Sequence, residues 1–124
     1  MVYLICGKPG AGKTHYACTL ECELYDPEGP KVKTIDADVF RLRTNNQDFS
    51  EGGRARNLIA AAKEARVLEE AGYIVILAFI APKREWRERM RSYWEESLLV
   101  YIPGGEDLWN GLEFEVPTLE ELKK

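Results

Sequence analysis

Three groups of residues carry chemistry by type and spacing. The first is Gly7-Lys8-Pro9-Gly10-Ala11-Gly12-Lys13-Thr14, which fits the phosphate-binding pattern G-x-x-x-x-G-K-[ST] without a mismatch. Backbone N–H groups of such a turn point inward and hold phosphate oxygens, Lys13 reaches the β- and γ-phosphates, and the Thr14 hydroxyl ligates Mg²⁺. The second is the carboxylate pair Asp36 and Asp38. On an extended segment the two side chains point the same way. Asp38 then serves as the acceptor-side carboxylate, and Asp36 orients a Mg²⁺-bound water. The third is a supply of cations: Arg41, Arg43, Arg54 and Arg56, then Lys83, Arg84, Arg87, Arg89 and Arg91. Glu85, Glu88 and Glu95 make most of the second run a solvated helix face, so only Arg41, Arg54 and one of Lys83 or Arg84 are assigned to the site. His15, the only histidine, reads as helix surface.

Phosphoryl transfer needs a phosphate cradle, a metal, a positioned acceptor and positive charge, and these groups supply all four. The elements that must position them follow from periodicity. Val2–Cys6 is an apolar run that reads as a buried strand, and Thr14 to Tyr25 is free of Pro and Gly and reads as a helix. After the turn Asp26–Pro30, Lys31–Ile35 alternates as a second strand. Val39–Gly53 reads as a long connection with one helical turn near Phe40 and Arg41. Arg54–Ala71 has helical spacing and stops at Gly72. Tyr73–Ala81 is the central strand, Lys83–Glu96 a charged helix, Leu98–Ile102 a further strand, and Thr118–Lys123 a closing helical turn.

Strands alternating with helices imply an α/β fold of the P-loop NTPase type: a three-layer sandwich with a parallel sheet of four to five strands and helices on both faces. In such sheets ligands bind beyond the carboxyl ends of the strands, where Gly7–Thr14, Asp36/Asp38 and Ala81–Arg84 all fall. The 124 residues read as one domain. No apolar run is long enough for a bilayer, and Met1 leads straight into the first strand, so neither a membrane segment nor a targeting peptide is expected. Cys6, Cys18 and Cys22 follow no metal or disulfide framework, which suits a reducing cytoplasm. The net charge of −4 is uneven: residues 1–94 carry 15 basic and 13 acidic side chains, residues 95–124 carry 2 and 8. The acidic excess therefore lies in the tail, which argues against a broad nucleic-acid surface. Trp94, Tyr101 and Trp109 read as exposed aromatics that favour a homodimer.

Strings beyond the phosphate loop resemble the adenylylsulfate kinase family. They are Ile35-Asp36-Ala37-Asp38-Val39-Phe40-Arg41, Phe49-Ser50 followed by Arg54-Ala55-Arg56-Asn57, Leu68–Gly72, and Ala78–Arg84, in the same order and at nearly the same spacing as in that family. The resemblance implies transfer of the ATP γ-phosphoryl to the 3′-hydroxyl of adenylylsulfate. It implies that Arg41, Arg54 and Asn57 hold the phosphosulfate and ribose, that Phe49 stacks on the adenine, and that Ile80 supplies a backbone contact. The chain also departs from the family. The serine of the family's phenylalanine-isoleucine-serine-proline string is Ala81, and the aspartate before the substrate arginine is Gly53. The long basic lid after the fourth strand is absent: Pro103-Gly104-Gly105-Glu106-Asp107 leads directly into a stretch, Trp109–Pro117, resembling the family's post-lid segment. The acidic segment 103–124 thus replaces the lid. An uncovered site would admit a hydroxyl on a macromolecule, so a kinase of hydroxymethylated bases or other hydroxyls in nucleic acid is the alternative. A non-catalytic ATP-binding module is the second.

Overall fold

In the computed structural model, residues 1–108 and 112–123 are described. Strand β1 is Val2–Cys6, helix α1 Lys13–Leu24, strand β2 Val32–Asp36, helix α2 Ala37–Thr44, helix α3 Glu51–Glu70, strand β3 Ile74–Ala78, helix α4 Arg84–Arg91, strand β4 Ser97–Tyr101 and helix α5 Leu119–Lys123. Among the described residues the strands form one sheet of four in the order β2-β3-β1-β4, every pair parallel. Both faces are covered, as an all-parallel sheet requires, and the result is an α/β three-layer fold. Alternate residues of β1 serve the two faces. Val2, Leu4 and Cys6 join Leu58, Ala61, Ala62 and Ala65 of α3 and Met90 of α4; Ile5 joins Ala17 of α1, Ile76 and Ala78. The fully buried alanines of α3 let that helix lie close on the sheet. No helix among the described residues is long and apolar enough to cross a membrane.

Two elements differ from the pattern expected of the sequence. The connection after β2 is not a long loop: Ala37–Thr44 is helical, because the Asp36 carboxylate accepts from Asp38 N at 3.0 Å and caps the helix. Helix α3 begins at Glu51 rather than Arg54, because Ser50 Oγ accepts from Gly53 N at 3.1 Å and carries the helix through two glycines. Helix α4 is correspondingly shorter than the charged run, and β3 stops at Ala78, four residues before Pro82.

Two of the aromatics expected on the surface turn inward. Trp94 is buried and its indole N–H donates to Ala62 O at 2.9 Å, and Tyr101 stacks on Phe114 with ring centroids 5.7 Å apart. Trp109 lies outside the described residues.

Candidate active site

The donor side is built by the β1–α1 junction. Gly10 and Gly12 take left-handed φ values of 76° and 102°, which lets the loop curl and leaves the first N–H groups of α1 without a side-chain cap. Gly7 is required for a different reason: a Cβ there would lie 2.6 Å from Ile102 O. Lys13 Nζ donates to Lys8 O at 2.8 Å, across the inside of the loop. Burial lowers the Lys13 pKa, against the opposing pull of Cys6, Asp36 and Asp38. Burial likewise pushes the Cys6 thiol up to about 12, so this cysteine is an inert packing group.

Asp36 and Asp38 do not lie on one extended segment. Asp36 ends β2 as the cap of α2, and Asp38 sits in the first turn of that helix. Both nonetheless face the same space: a cavity of about 420 Å³ lined by Pro9, Gly10, Gly12, Lys13, Thr14, His15, Asp36, Asp38, Ala78 and Ile80. Thr14 Oγ1 donates to Asp36 Oδ2 at 2.9 Å. Two hard oxygen donors beside a phosphate cradle suit Mg²⁺, which completes its shell with phosphates and water rather than with an all-protein cage. No group of three or more His, Cys, Asp or Glu side chains that could hold a metal ion assembles among the described residues.

On the far side of Ile80, α2 and α3 bring together three residues expected to bind the acceptor. The guanidinium carbons of Arg41 and Arg54 lie 4.5 Å and 5.2 Å from the centroid of the Phe49 ring, and Arg54 Nε donates to Phe49 O at 3.0 Å. Burial lowers the pKa of both arginines. Asn57, 4% exposed, has a side-chain oxygen with no hydrogen-bond partner, an orphaned acceptor of the kind that a ligand satisfies. It lines a second, small cavity with Arg41, Arg54, Phe79, Ile80, Ala81 and Trp86. Ile80 borders both cavities, and its carbonyl accepts from Gly7 N at 3.4 Å. Lys83 lines neither: its ammonium pairs with Glu51 and lies over the Trp86 ring.

The run of cations on α4 is not one basic face. Arg87 is fully buried, and its guanidinium donates to both oxygens of Glu121 at 2.7 and 3.2 Å, to Ala81 O at 2.8 Å and to Glu115 O at 2.7 Å. Arg91 donates to Ser97 and to Glu121 O, and Arg84 pairs with Glu88. The sequence puts Arg87 in a solvated run, which its burial against Glu121 overturns, and does not single out Glu121. The available signal was that Arg87 shares a helix face with Met90, three residues on.

The model of the adenylylsulphate kinase family matches residues 1–105. The chain belongs to that family. It is 34% identical over 103 residues to an adenylyl-sulfate kinase of Geotalea daltonii, covering 82% of this chain and 50% of the relative. With the adenylyl-sulfate kinase of Burkholderia ambifaria it is 39% identical over 102 residues, covering 82% and 56%. The chain spans about half the length of the curated relatives it matches. Among solved structures, the Mycobacterium tuberculosis APS kinase in complex with AMPPNP and APS superposes with a TM-score of 0.76 at 26% identity, covering 82% of this chain and 61% of that one. The strings at 35–41, 49–57 and 78–84 thus resemble the family because the chain is a member of it.

Proposed function

We propose that the chain transfers the γ-phosphoryl of ATP to a hydroxyl, with the 3′-hydroxyl of adenylylsulfate as acceptor, in a Mg²⁺-dependent reaction. The observation that carries this is the pair of cavities meeting at Ile80. A phosphate cradle lies on one side, and the Arg41–Phe49–Arg54 stack with the unsatisfied oxygen of Asn57 lies on the other. The relative solved with AMPPNP and APS holds a nucleotide and an adenylylsulfate at once, which supports the assignment of two substrates to two cavities.

The residues divide the work. The N–H groups of Gly10–Thr14 hold the β- and γ-phosphates, and Lys13 exchanges the Lys8 carbonyl for a phosphate oxygen. Phe49 takes the adenine of the acceptor on its face, and Arg41 and Arg54 hold its charged groups. Asp38 accepts the proton of the acceptor hydroxyl as that oxygen bonds to the γ-phosphorus; the bond from phosphorus to the β–γ bridging oxygen breaks, and ADP leaves. Thr14 and, through water, Asp36 would hold Mg²⁺, which neutralises charge on the phosphates. Ala81 offers no hydroxyl, so transfer is direct. Arg87 is buried against Glu121, and Arg84 and Arg91 are paired within the chain, which weighs against a nucleic-acid track along α4 and favours the small acceptor.

Coupled ATP turnover with adenylylsulfate tests the proposal. Lys13→Ala and Asp38→Asn are each expected to lower kcat/KM at least about a hundredfold. Tight ATP binding without adenylylsulfate-dependent turnover in the unmodified chain would overturn it and leave an ATP-binding module.

A further inference from the structure

Helix α3 carries glycine at 53, and the space beside it is filled from elsewhere in the chain. A Cβ on Gly53 would lie 2.3 Å from Asp48 Cγ, 2.6 Å from Asp48 Oδ1 and 2.4 Å from Asp48 O. A side chain at 53 is therefore incompatible with both the carboxylate and the backbone carbonyl of Asp48 where they stand.

The Asp48 carboxylate is fully engaged. Its Oδ1 accepts from Ser50 Oγ at 2.6 Å and from Ser50 N at 3.0 Å, and Ser50 Oγ in turn caps α3 by accepting from Gly53 N. Its Oδ2 pairs with Arg56 at 2.5 Å. The Asp48 carbonyl accepts from Arg41 Nη1 at 3.5 Å. The hydrogen bonds of Ser50 hold the Asp48 carboxyl below the usual carboxylate range, so it stays charged at neutral pH. One side chain thus ties the loop before α3 to the first turn of that helix, while its backbone meets the arginine on α2. Phe49 is the residue between, 55% exposed, with the Arg41 and Arg54 guanidinium groups against its ring. An exposed ring at the tip of a loop holds one orientation only if the backbone on either side is fixed.

We propose that Asp48 is a positioning residue of the acceptor site. It enters the gap left by Gly53, fixes the start of α3 and so holds Phe49 against Arg41 and Arg54. The inference rests on the acceptor assignment above, and its test separates the two.

The variants are Asp48→Ala, Asp48→Asn and Gly53→Ala. Each is measured for adenylylsulfate KM, kcat and ATP KM, and for hydrogen exchange at the Ser50 and Gly53 amides, with the β3 amides reporting that the fold is intact. Asp48→Ala and Gly53→Ala are expected to raise adenylylsulfate KM about tenfold, with kcat and ATP KM moving less than about twofold, and to speed exchange at both amides. Asp48→Asn, whose side-chain oxygen still accepts from Ser50, is expected to recover most of the losses of Asp48→Ala. Asp48→Ala or Gly53→Ala with wild-type hydrogen exchange at Ser50 and Gly53, or Asp48→Asn no better than Asp48→Ala, would overturn the inference. Were the unmodified chain inactive on adenylylsulfate, the acceptor assignment would fall, while the exchange data would still decide whether Asp48 holds the loop.

Discussion

The phosphate loop is braced from outside as well as curled from within. Gly105, in the turn after β4, has φ +86°, and a Cβ there would lie 2.7 Å from Pro9 O, 2.9 Å from Lys8 Cβ and 3.2 Å from Ala11 N. The next residue donates from Glu106 N to Pro9 O at 2.8 Å, and Lys8 pairs with Asp107 at 3.4 Å. The neighbouring Gly104 has nearly the same φ, +91°, but open space where a Cβ would stand. The two glycines thus separate backbone strain from contact. Gly104→Ala is expected to cost about 1 kcal/mol of stability and leave ATP affinity unchanged. Gly105→Ala is expected to cost about 1–3 kcal/mol and to weaken ATP binding severalfold, because Pro9 and Lys8 must shift. Nucleotide titration and urea melts of both variants check this; equal ATP affinities would show that the turn merely rests on the loop.

At the scale of elements, the parts with strong local signals were legible and those set by a single side chain were not. Strand β1 and the loop to Thr14 stand where spacing puts them, because an apolar run, a glycine turn and a Pro-free helix all agree. Helix α2 was hidden because Asp36-Ala37-Asp38 reads equally as extended chain; only the Asp36 cap decides it. Asp48 was hidden because its role depends on a gap five residues away. The end of α3 shows the same dependence. Glu69 lies near the helix C-terminus, where a carboxylate opposes the helix dipole. It is held there by Glu95 N at 2.9 Å, Glu96 N at 3.3 Å, Arg66 at 3.0 Å and the Met1 ammonium at 3.0 Å. Burial alone would raise its pKa; those donors outweigh it and bring the carboxyl from an ordinary 4.5 down to about 2. A depressed folded pKa means that the stabilisation is complete above about pH 4.5 and is lost as pH falls toward 2. Glu69→Gln is expected to cost about 2 kcal/mol at pH 7, with the gap to wild type closing over that acid window. Urea melts from pH 7 to pH 2.5 measure it; a gap independent of pH would assign the loss to packing instead.

For the whole molecule, the acidic C-terminal segment is a structural strap rather than a solvated tail. Phe114 packs into the core against Tyr101, and Glu115 N donates to Pro82 O at 2.7 Å. Glu121, 1% exposed, meets the fully buried Arg87. Through Arg87 the segment reaches Ala81 O; Ala81 has φ +45°, a left-handed conformation that a non-glycine residue keeps only when its surroundings hold it. Ala81 adjoins Ile80, whose carbonyl meets Gly7 at the start of the phosphate loop. The strap, the acceptor corner and the donor loop therefore form one connected network. Removing one member of a buried ion pair leaves the other charge without compensation, whereas replacing both with apolar groups does not. Glu121→Ala is expected to destabilise the fold by about 3–5 kcal/mol, and Arg87→Met/Glu121→Leu to recover part of that. The double variant still lacks the donor to Ala81 O, so its adenylylsulfate KM is expected to stay raised while its ATP affinity returns toward wild type. Urea melts with separate titrations of the two substrates distinguish these effects. A double variant with wild-type adenylylsulfate KM would show that the strap stabilises the fold without shaping the acceptor corner.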